Sequence, residues 1–351
     1  MATEDSTMTS YPAVEIPNSK KTVRPDETNM TKPRVIVTRQ WPAEVESVLK
    51  ANYDVQLNEQ DTAMTAEALQ DALRTADAVL PTVTDPITAE VLSAAPLRAK
   101  FIGNFGVGYN NIDIDTARAR GITVTNTPEV LTDCTADLAM TLLLSAARRA
   151  GEGERLVRSK SWTGWHPMHM IGVKVTGKTL GLIGMGRIAR AVAERAHFGF
   201  GMNILFSDPN PPPPEVTARL NARECTTEEV LRDSDFVSLH CPGGEETFHL
   251  IDTAELEMMK PGAILINSAR GEVVNSEALI NALRTGEIAA AGLDVFEGEP
   301  HINDGFLDLE NVVLLPHLGS ATHGTRDAMG NRVLANLQDY LAGKTPRDKV
   351  V

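Results

Sequence analysis

The chain has 351 residues, three cysteines and a formal net charge of −14. This length predicts about two domains at roughly 150 residues each, and the acidic balance argues against nucleic acid and anionic membranes as partners. The cysteines lack C-x-x-C spacing and no apolar stretch is long enough to span a membrane, so we expect neither a zinc site nor a membrane protein, and a cytoplasmic location.

The first thirty residues differ from the rest of the chain. Residues 1–30 are polar, contain Pro, Ser and Thr, and show no hydrophobic periodicity. Such a segment buries too little apolar surface to offset the entropy of ordering, so we expect a flexible extension. Its acidic residues disfavour an import peptide.

Strand-like and helical patterns alternate between Pro33 and Pro128. We expect strands at 35–38, 54–57, 78–80, 100–102 and 122–124 and helices at 42–51, 66–75 and 115–120. This alternation is typical of parallel βαβ units.

A long apolar segment follows, from Thr132 to Arg149. It predicts a helix, with Thr132 or Asp133 as the candidate N-cap. Because its apolar residues cover more than one face, we expect it to be buried on several sides and to pack against a second subunit.

A second alternating region runs from Lys178 to Leu315. Six strands are expected, the number in a full Rossmann domain: they lie at 179–183, 203–207, 236–240, 263–267, 289–295 and 312–315. Pro209–Pro214 is expected to be a turn that cannot be helical. A final helix at 325–341 belongs with the first region if the chain crosses back.

The fold class is therefore α/β, with two Rossmann-like or flavodoxin-like domains built on parallel sheets and an active site in the cleft between them. We expect a substrate domain of residues 31–130 and 321–351. The cofactor domain is expected at 131–320.

A dinucleotide-type turn lies at the start of the second region. Gly184 permits the tight turn, Gly186 lets the backbone approach a pyrophosphate, and Ala189 allows close helix–strand packing. An acid, Asp208, ends the next strand, where it would bind ribose hydroxyls and repel a 2′-phosphate. The pattern favours NAD, with NADP as the alternative because Arg187 could hold a phosphate. Asp208 could instead be a turn former before Pro209.

Three polar residues stand just past the last three strands of this region, namely Arg270, Glu299 and His317. Open parallel sheets bind ligands outside the carboxyl ends of their strands, so we expect the three to converge on the cofactor. A guanidinium can bind a carboxylate through two hydrogen bonds. A histidine titrates near neutrality and can deliver a proton, and a carboxylate on its other ring nitrogen would orient it. Taken singly, each could be an ordinary surface or packed residue.

His240 also ends a strand, so it is the main rival to His317 as the proton donor. His166 and His169 follow Trp165 and could border the mouth of a substrate site, while the remaining histidines look like loop or rim residues. No His, Asp or Glu cluster has metal-ligand spacing, so no metal is expected.

At these residues the sequence resembles the D-isomer-specific 2-hydroxyacid dehydrogenases, from about Lys32 to the C-terminus. The similarity lies in NFGVGYNNID at 104–113, NTPEVLTD at 126–133, GMGRIA at 184–189, NSARG at 267–271, GLDVFEGEP at 292–300 and PHLGS at 316–320. WTGW at 162–165 is similar to the glyoxylate/hydroxypyruvate reductase branch.

The resemblance implies roles for particular residues. Arg270, Glu299 and His317 match the family's catalytic positions, and Val107 and Gly108 match the loop whose N–H groups meet the substrate carboxylate. Asp294 matches the residue that contacts the nicotinamide carboxamide. The other positions that match cofactor contacts, besides His317 and the glycine turn, are Arg187, Ile188, Asp208, Cys241, Ser268, Ala269, Gly319 and Ser320.

The resemblance implies a homodimeric reductase of glyoxylate or hydroxypyruvate, with the helix after Thr132 in the interface. Glu299 in place of Gln argues against a formate dehydrogenase, and the lack of a Lys near Val107 argues against a phosphite dehydrogenase. Two alternatives stay open: a dehydrogenase for a larger 2-oxo acid such as 2-ketogluconate or phenylpyruvate, and a dinucleotide-sensing protein like the transcriptional corepressors of this fold.

Overall fold

A computed structural model describes residues 32–351 of the chain. The flexible extension predicted at 1–30 lies outside the described residues. No helix of the described part is both long enough and apolar enough to cross a membrane.

The first sheet has five parallel strands in the order β2-β1-β3-β4-β5. This is the flavodoxin-like order. Its strands are β1 (Arg34–Val37), β2 (Asp54–Gln56), β3 (Ala78–Leu80), β4 (Phe101–Gly103) and β5 (Thr123–Thr125). Its helices are α1 (Ala43–Asn52), α2 (Ala66–Thr75), α3 (Ala89–Leu92) and α4 (Ile114–Ala119). Thr65 and Asp113 cap α2 and α4 by accepting hydrogen bonds from free N–H groups of the first turn.

The second sheet has seven parallel strands in the order β12-β11-β10-β9-β6-β7-β8. The order reverses direction between β6 and β9, the switch point where such sheets bind dinucleotides. Its strands are β6 (Thr179–Ile183), β7 (Asn203–Ser207), β8 (Ala222–Glu224), β9 (Phe236–Leu239), β10 (Ile264–Asn267), β11 (Ala290–Leu293) and β12 (Val312–Leu314). Its helices are α7 (Arg187–Glu194), α8 (Pro214–Arg219), α9 (Thr227–Asp233), α10 (Thr253–Met258) and α11 (Ser276–Thr285).

Three further helices stand outside these alternating units: α5 (Thr132–Ala147), α6 (Ala150–Arg158) and α12 (His323–Leu341). The apolar faces of α5 pack against α7, β10 and β11 of the same chain. Helix α12 returns to the first sheet and packs against β4 and α1, where Met329, Val333 and Leu337 join the core around Phe101. The chain therefore crosses back, as the sequence predicts.

The α/β fold class with two parallel sheets is confirmed, with five local differences. The N-cap of α5 is Leu131, which makes no side-chain cap bond, rather than Thr132 or Asp133. Strand β8 makes the second sheet seven-stranded rather than six-stranded; Arg223 and Glu224 in it are exposed because it is an edge strand. Helix α3 is a single turn, too short to show a periodicity. Arg149 adopts a left-handed conformation that ends one helix and begins α6. Pro214 is not part of a non-helical turn but the first residue of α8, where the missing N–H costs nothing.

Candidate active site

The three polar residues that follow β10, β11 and β12 come together at the carboxyl edge of the second sheet. His317 Nδ1 lies 2.8 Å from Glu299 Oε2, and the other carboxylate oxygen of Glu299 accepts a hydrogen bond from Phe296 N at 2.9 Å. Glu299 and Arg270 interact electrostatically. Among the described residues no hydrogen bond is made by Nε2 of His317, so that nitrogen is available to a ligand.

Glu299 is an ionised carboxylate in this arrangement. Burial raises the pKa of its carboxyl, but the hydrogen bond and charge of His317, the Phe296 N–H and the charge of Arg270 outweigh it and hold the pKa below its ordinary value. Burial lowers the pKa of Arg270, against the opposing effect of Glu272 and Glu299. Arginine nevertheless keeps its charge in proteins, so the site holds one guanidinium that interacts electrostatically with two carboxylates.

The backbone around Arg270 is fixed by local hydrogen bonds. Asn267 Nδ2 donates to the carbonyl of Arg270 at 2.8 Å, and Asn267 Oδ1 accepts from Ala269 N at 3.0 Å. Gly271 lies so close to the backbone of Phe296 that a β-carbon there would overlap it. Glycine at 271 thus lets the Arg270 turn pack against the loop that carries Glu299.

A loop of the first sheet reaches this group. A β-carbon on Gly108 would overlap Nη2 of Arg270, so the Gly108 backbone lies against the guanidinium. Asn104 Nδ2 donates to Gly108 O and Asn126 Nδ2 donates to Val107 O, each at 2.8 Å. In the part of the chain that the structure covers, the N–H groups of Val107 and Gly108 donate no hydrogen bond, so two donors beside a guanidinium are open to an anion.

Asp294 holds the loop that carries His317. Its carboxylate accepts hydrogen bonds from Leu318 N at 2.6 Å and Gly319 N at 2.9 Å, and its carbonyl accepts from His317 N at 2.9 Å. Burial raises the pKa of Asp294 to about 6, although these N–H groups and His317 act to lower it. Thr135 Oγ1 donates to Gly319 O at 3.0 Å, which ties the same loop to the start of α5.

The glycine turn at the start of α7 fits a dinucleotide. Gly184 has φ +89°, and a β-carbon on it would meet the backbone of His240 and Cys241 at 2.8 Å. A β-carbon on Gly186 would instead meet nothing within 4 Å, so space lies open at the N-terminus of α7. Unpaired N–H groups at a helix N-terminus favour phosphate oxygens.

The other predicted cofactor positions surround this turn. Asp208 follows β7 and accepts from Met185 N at 2.6 Å and from Asn210 N at 2.7 Å. Arg187 is exposed, and Ile188 is partly buried against the cores of both sheets. The hydroxyl of Ser268 is buried without a hydrogen-bond partner, as expected of a group that a ligand would satisfy. Ser320 is partly buried in the loop after His317, and Ala269 is buried beside Arg270.

His240 and Cys241 directly follow β9 and lie next to Gly184. Burial raises the pKa of the Cys241 thiol to about 11, so it is protonated at neutral pH. Burial lowers the pKa of His240 to about 4, and its Nε2 lies 2.9 Å from Ser238 Oγ. His240 is therefore a neutral imidazole, and no carboxylate among residues 32–351 bonds to it, unlike His317. His166 and His169 lie in the segment after α6, with their ring centroids 5.0 Å apart.

Sequence reasoning assigned no role to Asn104, Asn126, Gly271 or Thr135. Asn104 and Asn126 each directly follow a strand of the first sheet, so the strand-end rule that found Arg270 could also have found them. Gly271 and Thr135 act through close packing and a buried hydrogen bond, which leave no trace in a single sequence.

The chain is similar to known proteins over most of its length. A family model described as the NAD binding domain of D-isomer specific 2-hydroxyacid dehydrogenases matches residues 140–319. The glyoxylate reductase of Thermococcus litoralis is 46% identical over 323 residues, covering 91% of this chain and 97% of that protein.

Solved structures agree with this similarity. The NADPH-dependent glyoxylate/hydroxypyruvate reductase of Sinorhizobium meliloti, in complex with NADP and malonate, superposes with a TM-score of 0.82 at 32% identity, over 92% of this chain and 97% of that one. The glyoxylate reductase of Paecilomyes thermophila gives a TM-score of 0.81 at 32% identity, over 92% and 99% of the two chains.

Proposed function

The chain belongs to the D-isomer specific 2-hydroxyacid dehydrogenases, which use a nicotinamide dinucleotide, and from this premise we propose that it reduces glyoxylate or hydroxypyruvate to the D-2-hydroxy acid. The observation that carries the proposal is the placement of the His317–Glu299 pair beside Arg270, next to the free N–H groups of Val107 and Gly108. Arg270 and the two N–H groups suit the binding of a carboxylate, and the His317–Glu299 pair suits the transfer of a proton. The relatives named as glyoxylate reductases support the choice of substrate.

In this proposal the substrate carboxylate accepts hydrogen bonds from Val107 N and Gly108 N, and Arg270 binds the carboxylate and the 2-oxo group. Charge-assisted bonds from a guanidinium are stronger than neutral ones and fix the orientation of the substrate. Asn104 and Asn126 act indirectly, because they hold the carbonyl groups of the loop and leave its N–H groups free.

The reduced nicotinamide, when bound, supplies the hydride to the carbonyl carbon. His317 then donates the proton on Nε2 to the developing alkoxide, and Glu299 holds Nδ1 and stabilises the charged ring. Proton transfer by a positioned group contributes on the order of 10²–10⁴ in rate. His240 is a poor rival, because burial keeps it neutral and its ring bonds to Ser238 and to no carboxylate of the described residues.

The cofactor would lie across the glycine turn. Gly186 and the N-terminus of α7 would receive the pyrophosphate, with Arg187 and Ile188 beside it, and Ser268 and Ala269 would line the nicotinamide side with Cys241, Gly319 and Ser320. Both carboxylate oxygens of Asp294 already hold the His317 loop. A carboxylate has about four lone-pair sites, so a contact from Asp294 to the carboxamide is compatible with these bonds.

We propose NAD rather than NADP as the preferred cofactor. Asp208 stands where the adenosine ribose would lie, and a carboxylate there repels a 2′-phosphate. Residues 208–214 read DPNPPPP and contain no Lys or Arg. The Sinorhizobium meliloti protein is described as NADPH-dependent, so the preference needs its own measurement.

We further propose that residues 31–130 and 321–351 act as a substrate domain, that 131–320 act as a cofactor domain, and that two chains associate. Four large side chains after α6 are exposed, Trp162, Trp165, Met168 and Ile171. Such a patch is typical of an interface. Helix α5 packs against α7, β10 and β11 of its own chain, and its place in the interface stays a prediction. The cytoplasmic location stays a prediction.

The test is a kinetic panel. Glyoxylate, hydroxypyruvate, phenylpyruvate and 2-ketogluconate would each be supplied with NADH and with NADPH, and cofactor oxidation followed by absorbance. We expect the highest kcat/KM with one of the first two substrates and NADH. Preference for phenylpyruvate or 2-ketogluconate would overturn the substrate assignment, and NADH binding without turnover of any of the four would favour a dinucleotide-sensing protein.

A further inference from the structure

A second histidine–carboxylate pair lies next to the proposed active site. His249 Nε2 is 2.6 Å from Glu297 Oε1, and the other oxygen of Glu297 accepts a hydrogen bond from Ser276 N at 2.9 Å. The ring of Phe248 stacks on the His249 ring with centroids 4.0 Å apart. Neither His249 nor Glu297 has a part in the proposed chemistry.

The segment around His249 is bonded to the turn that carries Arg270. His249 N donates to Glu272 O at 2.8 Å, and Ile251 N donates to Val273 O at 3.0 Å. The acceptors of these two bonds lie two and three residues after Arg270.

The segment that carries Glu297 packs on the same turn. A β-carbon on Gly271 would overlap the carbonyl group of Phe296 and approach Glu297 N at 2.5 Å. The Arg270–Glu272 turn therefore contacts both the segment of His249 and the segment of Glu297. The His249–Glu297 bond links these two segments to each other, so each of the three segments contacts the other two.

The backbone at His249 is strained. His249 has φ +50°, in the left-handed region that residues other than glycine rarely adopt. Such conformations persist where the surrounding structure over-determines them and are frequent at functional sites. Burial raises the pKa of the Glu297 carboxyl, but its bonds to His249 and Ser276 outweigh burial and hold the pKa below its ordinary value. The pair is thus a net favourable interaction for the carboxylate.

We propose that His249 and Glu297 form a clamp that fixes the Arg270–Glu272 turn and thereby sets how tightly Arg270 holds the substrate carboxylate. Both are positioning residues, because they act through Arg270. The clamp itself rests on the contacts above, and only its effect on substrate rests on the proposed function. It assigns a task to a histidine that the sequence leaves among the loop residues.

The experiment compares His249→Ala, His249→Gln and a control, His301→Ala, whose histidine is exposed. Glutamine keeps an N–H donor at the end of the side chain, so it can still bond to Glu297. Hydrogen–deuterium exchange of peptides spanning 268–273 and 296–299 reads the clamp directly and needs no activity. We expect faster exchange in His249→Ala alone.

The same variants test the effect on catalysis. A lost hydrogen bond to a charged group predicts that His249→Ala raises KM for glyoxylate about tenfold. We expect kcat and the NADH dissociation constant to stay unchanged, glutamine to restore KM, and His301→Ala to match the unaltered protein. A rise in KM that comes with a loss of NADH affinity, and that glutamine does not reverse, would identify a merely structural role and overturn the proposal.

The two proposals fail in different ways. If the unaltered protein reduces none of the four 2-oxo acids, the proposed function fails, while the exchange data still decide on the clamp. If exchange over 268–273 is the same in His249→Ala as in the unaltered protein, the clamp is refuted even where glyoxylate is reduced.

Discussion

Gly108 lies directly against the guanidinium of Arg270, although the two residues follow strands of different sheets. Gly108 comes after β4 in the five-stranded sheet, and Arg270 comes after β10 in the seven-stranded sheet. A hydrogen atom in place of a side chain is what allows this approach. The proposed carboxylate site is therefore assembled from both halves of the fold.

Gly108→Ala should move the guanidinium, because the added methyl group would occupy the position of Nη2. A displacement on the order of 1 Å can cost about 10²-fold in rate, and we expect kcat/KM for glyoxylate to fall by that order. Steady-state kinetics would measure it. Gly262→Ala is the matched control, since a β-carbon at Gly262 meets nothing within 4 Å. Equal kinetics for the two alanine variants would contradict the assignment.

Arg270→Lys should keep the positive charge but lose the planar pair of donors. A lysine offers a single point charge, so one of two charge-assisted bonds to the substrate is lost. We expect KM for glyoxylate to rise about 10- to 100-fold. NADH binding, followed by fluorescence titration, should be unchanged. A KM within twofold of the original protein would mean that Arg270 does not bind the carboxylate.

His317→Asn removes the proposed proton donor and should lower kcat by about 10²–10⁴. The comparison is His323→Asn, which alters an exposed histidine at the start of α12. NADH should still bind to both variants, because His317 acts on the substrate. Full turnover in His317→Asn would show that His317 is not the proton donor and would favour His240 in that role.

Glu299→Gln should alter stability in a pH-dependent way. Burial raises the pKa of Glu299, but His317 and the other partners outweigh it and place the folded pKa below the ordinary 4.5. The ionised carboxylate thus stabilises the fold above the ordinary pKa, and this contribution is lost as pH falls through the folded pKa. The difference in unfolding free energy between protein and variant should be constant from about pH 7 to 5 and shrink below about pH 4.

Urea denaturation at a series of pH values would measure that difference. Glutamine preserves the acceptor for Phe296 N, so the comparison isolates the charge. A difference that grows as the solution is acidified would show that the carboxylate is not stabilised by its neighbours. The same variant should also have a lower kcat, because the imidazolium would lose its partner.

Asp208→Ser should shift the cofactor preference toward NADPH. Removing the carboxylate removes its repulsion of a 2′-phosphate, while the hydroxyl can still accept from Met185 N. The ratio of kcat/KM with NADH to that with NADPH measures the effect. Asp233→Ser, on an exposed helix end, is a control for the loss of one negative charge. A ratio unchanged by Asp208→Ser would place the adenosine ribose elsewhere.

Most of the fold follows from the sequence because parallel strands buried on both faces read as short apolar runs. The strands from Thr179 to Leu314 are found this way, with ends shifted by one or two residues. Strand β8 is the exception. Its residues are partly exposed at the sheet edge, so no hydrophobic pattern marks it. The sequence does not predict α6 as a separate helix, because Arg149 interrupts the helical segment through its backbone conformation rather than through a Pro or Gly.

The residues of the candidate site likewise divide into those that the sequence predicts and those that it does not. Arg270, Glu299 and His317 could be predicted because each follows a strand and carries a side chain with known chemistry. The residues that hold these three in place could be predicted only in part. Asn104 and Asn126 also follow strands, but the bond from Thr135 to Gly319 O joins residues 184 positions apart in the chain. A single sequence holds no information on such pairings.

The return of α12 to the first sheet has a consequence for biosynthesis. The core around Phe101 includes Val333 and Leu337, so the first sheet cannot bury its apolar face until residues beyond 322 have left the ribosome. The seven-stranded sheet is complete by Leu314 and can fold earlier, since domains generally fold as units during synthesis. The half of the molecule that is translated first is thus the half that finishes folding last, because one face of β4 is uncovered until α12 packs against it.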